Sequence, residues 1–183
     1  ADAGVDRIVV LPTADAYEQP QLLVDAALAW GARIGVIVEP LMLLTRSQAG
    51  DAEAALIAGA PAVFLAGDSA NHLRSALKDT PVFTAITELL ARGGTVVASG
   101  ASAAALCDPM TDQRGGGFAL GLGLVAPLAV IPAPETWPHD QLERAHGLAN
   151  TTVVDLPVGS AIVRRGNAWE VVGAAVVHGS LDA

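Results

Sequence analysis

Hydrophobic residues fall in short runs separated by polar, glycine-containing or proline-containing breaks. Arg7-Ile8-Val9-Val10-Leu11-Pro12-Thr13 is a β-branched run closed by proline and a polar cluster, and it predicts a buried strand. Over residues 20–30, Leu22, Leu23, Ala26, Ala27 and Trp30 fall on one helical face, with Gly31 as the stop. Ile34-Gly35-Val36-Ile37-Val38 predicts a second strand, residues 51–58 a helix and residues 62–65 a third strand. Pro81 suits the first position of a helix running to about Arg92, and Gly93-Gly94 closes it. Thr95-Val96-Val97-Ala98-Ser99 predicts the next strand, and the small residues after it lead into another helix. Glycine and proline interrupt the apolar residues 118–134, which therefore predict strands. His139 and His146 share a further helix that Asn150 stops. Residues 160–164 and 168–172 flank Arg165-Gly166-Asn167, a hairpin turn, and residues 174–178 add a last strand.

Continuous apolar strands alternating with helices predict an α/β fold, a mostly parallel sheet with helices on both faces and a C-terminal β-hairpin. At 183 residues the chain is one domain's worth, expected over 1–183. Hydrophobic residues at 52% against 16% charged residues fill a sizeable core and exclude a disordered tail. Aromatics are only 4%, so Ala, Val, Leu and Gly do the packing, which favours close helix-on-sheet layers. A net charge of −9 argues against a nucleic-acid partner, which needs a basic footprint. Cys107 is the single cysteine, which excludes an internal disulfide and a cysteine-based zinc site. No run of about 18 apolar residues occurs, so no membrane span is expected. Residues 1–6 lack a basic region followed by an apolar one, so no signal peptide is expected either, and the expected location is cytoplasmic.

In such sheets ligands bind beyond the carboxyl ends of the strands. Two loops there are built of small residues, Ala66-Gly67-Asp68-Ser69 and Ser99-Gly100-Ala101-Ser102. Backbone N–H groups in these loops can approach a ligand or form an anion nest, although tight strand-to-helix packing explains small residues equally well. The candidate binding residues are Gly67, Asp68, Gly100, Ala101 and Ser102. Gly100-Ala101-Ser102-Ala103-Ala104 stands where a strand–turn–helix nucleophile elbow would, and a serine there needs a histidine base from elsewhere. The histidines are His72, His139, His146 and His178. Gly121-Leu122-Gly123-Leu124-Val125-Ala126 imitates a dinucleotide fingerprint, but Pro127 and a strand-like run follow it where a helix is required. The paired carboxylates Asp51 and Glu53, Asp108 and Asp112, and Glu135 and Asp140 are not joined by a metal-like histidine spacing. No metal and no cofactor are therefore expected. Trp30, Trp137 and Trp169 serve as core or interface anchors, and Cys107 as a buried structural thiol.

Several stretches resemble one family. Residues 64–81, Arg92-Gly93-Gly94, Leu106-Cys107-Asp108-Pro109-Met110, Arg114-Gly115-Gly116, Gly121-Leu122-Gly123-Leu124 and Ala129-Val130-Ile131-Pro132 are similar to the class-I glutamine-amidotransferase-like group that includes aspartyl dipeptidase (peptidase E) and cyanophycinase. The resemblance covers residues 7–177 in order. It implies a flavodoxin-like three-layer sandwich and hydrolysis of peptide bonds beside aspartyl residues by a Ser-His-Glu triad. The strand and Gly-Gly-Gly loop with which the family opens lie outside this sequence, so a domain lacking that first strand is expected.

The resemblance departs at the triad. Counted back without a gap from the methionine matching Met110, the nucleophile position is Gly100, and a slide of two places would put Ser102 there. The histidine position after Pro132 is Ala133, and the glutamate position before Ser160 is Val158. The paired glycines of the oxyanion-side loop read Gly67-Asp68. The expectation is a catalytically inactive relative kept for binding or assembly. It would pair with itself or a catalytic relative, with Trp137 and Trp169 as anchors, or take an acidic small molecule or peptide. The alternative is an active serine hydrolase on aspartyl peptides, with Ser102 as nucleophile, His139 as base, and Asp140 or Glu143 as a poor third member.

Overall fold

The computed structural model describes residues 4–181. Part of the stretch on which the signal-peptide expectation rests, residues 1–3, lies outside the described residues. The elements in order are β1 (Arg7–Leu11), α1 (Pro20–Ile34), β2 (Ile37–Pro40), α2 (Asp51–Ala58), β3 (Ala62–Leu65), α3 (Ala70–Leu77), α4 (Pro81–Ala91), β4 (Thr95–Ala98) and α5 (Ala101–Leu106). They continue with β5 (Met110–Asp112), β6 (Gly117–Ala119), β7 (Leu128–Pro132), α6 (His139–Leu148), β8 (Thr152–Leu156), β9 (Ala161–Arg165), β10 (Ala168–Val172) and β11 (Val176–His178). The fold is mixed α/β, with a parallel sheet flanked by helices and an antiparallel hairpin near the C-terminus. Two compact units divide the chain, Ala1–Ala103 and Ala104–Ala183. No helix among the described residues is long and apolar enough to cross a membrane.

In the first unit β2, β1, β3 and β4 pair in that order, all parallel. This is the beginning of a flavodoxin-like order. The chain moves from β1 outward to β2, then reverses across β1 to β3 and β4. With right-handed crossovers, that reversal puts α1 on one face of the sheet and α2 and α4 on the other. The core agrees with this division. Ile8, Val10, Val38 and Ala62 point to α1, where they pack with Ala27 and with half-buried Leu23, Trp30 and Phe64. The intervening positions Val9, Leu11, Val63 and Leu65 are buried as well, which is why β1 and β3 read as unbroken apolar runs. Thr80 caps α4, its hydroxyl accepting from the Phe83 N–H at 3.3 Å, with Pro81 in the first helical position.

Two expectations for this unit are corrected. Gly31 does not end α1, which runs on to Ile34 and is capped by Gly35 at φ 73°. Gly31 instead faces β2 so closely that a Cβ would stand 2.6 Å from the Val36 oxygen and 2.6 Å from Val38 Cγ2. The buried stripe is accordingly Val24, Ala27 and Gly31, while Leu22 is 59% exposed, and Ile34 belongs to the helix and not to the second strand. Helix α3 has no counterpart among the expected elements. Its apolar stripe is only Leu73, Ala76 and Leu77, in a segment otherwise made of Asn71, His72, Arg74 and Ser75.

In the second unit β7 and β8 run parallel, joined through α6, and β11 adds antiparallel to β8. Ala129, Ile131 and Val153 line the face covered by α6, where they pack with Ala145 and Trp137. Trp137 donates from Nε1 to the Pro132 oxygen at 3.1 Å, a core anchor with its polar edge satisfied. The expected hairpin is β9–β10, turning at Gly166 with φ 61°. Half-buried Trp169 lies under the Arg164 guanidinium, 5.6 Å from the ring centroid. The short β5–β6 pair was not expected.

Gly31→Ala tests the contact of α1 with β2. Alanine favours a helix over glycine by about 1 kcal/mol, whereas forced overpacking costs about 1–3 kcal/mol. Because one of the atoms in the way is a backbone oxygen, the clash prevails. Urea denaturation should show a net loss of up to about 2 kcal/mol, and a stabilised variant would refute the close approach.

Candidate functional site

The order of the first sheet reverses between β1 and β3, and a crevice opens beyond the carboxyl ends of strands at such a point. β1 leads through Pro12 into a single 3-10 turn, Thr13–Asp15. The fully buried Thr13 hydroxyl donates to the Leu43 oxygen at 2.7 Å and ties this turn to the segment after β2. β3 leads into Ala66-Gly67-Asp68-Ser69. Gly67 has φ 120°, and a Cβ on it would stand 2.7 Å from the carbonyl carbon of Ala14 and from the Asp15 nitrogen. The two loops therefore touch main chain to main chain. The Asp68 N–H donates to Asp15 Oδ1 at 2.9 Å and the Ser69 N–H to the Ala14 oxygen at 3.0 Å.

Gly100 joins the same cluster. It separates β4 from α5, is exposed, and has φ 60°, the left-handed geometry of a residue on a sharp strand-to-helix turn. A Cβ there would lie 3.0 Å from Asp68 Oδ1 and 3.3 Å from the Gly67 oxygen. Ser102, one residue into α5 after Ala101, is 0% exposed, and its hydroxyl donates to the Gly67 oxygen at 3.4 Å. Gly67, Asp68, Gly100, Ala101 and Ser102 thus form one constellation. A carbonyl can hold a hydroxyl proton in a hydrogen bond but cannot remove it, and a nucleophilic serine needs a base within about 2.6–3.2 Å. His72, the histidine of this unit, is engaged elsewhere. Its Nε2 lies 2.8 Å from the Leu44 oxygen, and its ring meets Tyr17 edge-on at 4.7 Å.

The second unit holds the other expected positions. Ala133 follows β7 with φ 45°, and its N–H donates to the Leu156 oxygen at 2.8 Å. Val158, 81% exposed, follows β8, and its N–H donates to Glu135 Oε1 at 2.9 Å. His139 opens α6, where its Nε2 is 3.2 Å from Glu143 Oε1, both side chains being largely exposed. A histidine in that setting is a solvated helix-end residue.

Three residues that sequence spacing did not join come together in this unit. Asp155, on β8, receives His146 Nε2 on Oδ1 at 3.0 Å and His178 Nε2 on Oδ2 at 3.1 Å. The two imidazole centroids are 4.4 Å apart. These three could hold a metal ion, since one ligand atom from each lies within 4.8 Å of the others. One signal was present in the sequence: an aspartate inside the strand Thr152-Val153-Val154-Asp155-Leu156, where an apolar residue would pack more simply.

No protein-family model matches the chain, and no curated protein matches it. Solved structures do. A crystal structure of a peptidase from an acI-B1 actinobacterium matches with a TM-score of 0.84 at 23% identity, over 94% of this chain and 76% of that one. A protein provisionally assigned as a peptidase E, from Listeria monocytogenes EGD-e, matches with a TM-score of 0.73 at 16% identity, over 91% of this chain and 85% of that one. This chain shares their fold.

Cys107, which follows α5, is buried as expected. Burial pushes its thiol up to about 12, against a smaller opposing pull from a hydrogen bond with the Val130 backbone. At pH 8 roughly one molecule in ten thousand then carries the thiolate, the reactive form. Native protein should therefore react with an aromatic disulfide reagent far more slowly than protein in denaturant. Equal rates would refute the buried placement.

Proposed function

We propose that this chain is a peptidase E-type relative that has lost serine-peptidase chemistry and serves in binding or assembly. One observation carries the reading. Gly100 occupies the strand-to-helix turn with the backbone geometry of a nucleophile elbow and offers no side chain. The neighbouring hydroxyl, Ser102, is buried against a carbonyl. Ala133 and Val158, the positions that the resemblance assigns to a base and its carboxylate, offer no proton acceptor on their side chains. The loop expected to polarise an oxyanion gives the Asp68 N–H to the carboxylate of Asp15 instead. Removing one member of such a triad costs several powers of ten in rate, and losing all three leaves only binding and residual polarisation.

Electrostatics shape what the loop cluster can hold. Asp15 and Asp68 place two carboxylates beside Gly67 and Gly100, so a neutral or cationic group suits the cluster better than the acidic ligand the resemblance implies.

The test is intact mass and peptide mapping after exposure to a broad serine-hydrolase phosphonate, together with turnover of aspartyl dipeptides. An active peptidase of this fold, treated in parallel, confirms the probe. No adduct and no turnover are expected, and Ser102→Ala should leave both unchanged. An adduct on Ser102, or turnover abolished by Ser102→Ala, would sink the proposal and establish a working hydrolase of altered geometry.

A further inference from the structure

The His146–Asp155–His178 cluster belongs to neither the expected triad nor the loop constellation. Asp155 is 9% exposed on a strand otherwise made of valine, threonine and leucine. A carboxylate taken out of water needs charged or hydrogen-bonded partners. Arginine or lysine is the usual partner, because its charge is permanent and its donors are many. Among the described residues neither pairs with Asp155, and both of its ion-pair partners are imidazoles. Imidazole differs from those cations in one decisive respect: in its neutral form one ring nitrogen carries a lone pair that can bind a metal while the other holds the proton.

The backbone brings the three side chains together from three elements. The antiparallel register sets Val176 opposite Asp155 and His178 opposite Val153. Asp155 and His178 are therefore diagonal neighbours on one face of the sheet, within reach of long side chains. Val153 on that face packs under α6, and His146 descends onto it from the last turn of α6. The chain beyond β11 is held as well, since the Thr152 hydroxyl donates to the Ser180 oxygen at 2.7 Å. That bond fixes the strand end that carries His178.

We propose that His146 Nε2, His178 Nε2 and the Asp155 carboxylate bind one divalent transition-metal ion of the zinc type, with water completing the coordination. A tetrahedral zinc with bonds of about 2.0–2.1 Å has its ligand atoms about 3.3–3.4 Å apart. The two nitrogen–oxygen separations, 3.0 and 3.1 Å, are already within a few tenths of an ångström of that edge. Binding moves each ring proton from Nε2 to Nδ1, so neutral imidazoles give up their hydrogen bonds to Asp155 and present lone pairs to the ion. The His146 and His178 side chains, 30% and 43% exposed, leave an entry path and room for water. Two nitrogens and a carboxylate suit zinc and its neighbours in the first transition row, whereas magnesium and calcium require an oxygen set. A bound ion would fasten β11 and α6 to β8 at one point.

The experiment is calorimetric titration of the whole chain with zinc chloride in a non-chelating buffer, with magnesium chloride as control and melting curves alongside. The wild type should take up one zinc per chain with micromolar or tighter affinity and melt higher with zinc, and magnesium should do neither. His178→Gln is the decisive variant, since a glutamine N–H can still donate to Asp155 but is a poor zinc ligand. It should stay folded and bind zinc roughly 100-fold more weakly, because loss of an outer-sphere partner alone costs about 10–100-fold. His139→Ala, at an exposed histidine outside the cluster, should bind as the wild type does. Absence of zinc uptake by the wild type, uptake unchanged in His178→Gln, or equal uptake of magnesium would each overturn the proposal.

Discussion

Where β1, β3 and β4 end, their loops approach so closely at Gly67 and Gly100 that a side chain at either glycine would meet the neighbouring loop. Gly67 lies against the backbone of Ala14 and Asp15, and Gly100 lies against the Gly67 carbonyl. At Gly67 a Cβ has nowhere to go, because two of the three atoms in its way, the Ala14 carbonyl carbon and the Asp15 nitrogen, are main-chain atoms, and the third is Asp15 Oδ1. The floor of the crevice is therefore made of backbone, positioned by strand pairing and by the hydrogen bonds from Asp68 and Ser69 to the first loop. Side chains lining such a floor can change without moving it. Under the proposed reading, that separation between what holds the scaffold and what would perform chemistry lets the fold persist without a nucleophile. Glycine at a turn with φ 60° also avoids the strain a serine would store there, about 1–3 kcal/mol for a residue in a sparsely populated backbone region. Loss of the side chain at that position would cost the fold nothing.

How much of this could be read in the sequence depended on whether a residue's role was local. β1 and β3 were legible because burial on both faces demands an unbroken apolar run, and β4 because Thr95, Val96 and Val97 favour a strand although none of its residues is buried. The end of α4 and the β9–β10 hairpin were legible because glycines mark them, and the start of α4 because Pro81 does. The glycine loops at the sheet edge were legible for the same reason. Gly31 was misread because its role is tertiary. A glycine that closes a helix and a glycine that lets a helix rest on a strand look the same in sequence, and only the position of Val36 and Val38 distinguishes them. Helix α3 was hidden by its narrow stripe, and β5 by a length of three residues, too short for alternation to show.

The histidine–aspartate cluster was not legible through spacing because no two of its members share an element. His146 comes from a helix, Asp155 from an inner strand and His178 from the strand added last. Spacing rules for metal sites work where one helix or one tight loop supplies two ligands; here strand register supplies the proximity. The informative residue was the misfit. Valine at position 155 would continue the strand pattern and pack under α6 at no electrostatic cost, so the carboxylate is an expense to folding that its surroundings must offset.

The two regions follow opposite physical logic. At the end of the first sheet, close backbone contacts at Gly67 and Gly100 make most of the shape, with Asp15 and Ser102 bonded to them. In the second unit, three side chains make the arrangement, and no main-chain contact would preserve it if one were exchanged. A buried carboxylate that loses a hydrogen-bonded partner pays a desolvation cost that a surface charge does not. The contrast directs attention away from the crevice where chemistry is expected and toward Asp155, where the chain accepts a charge that its core does not need.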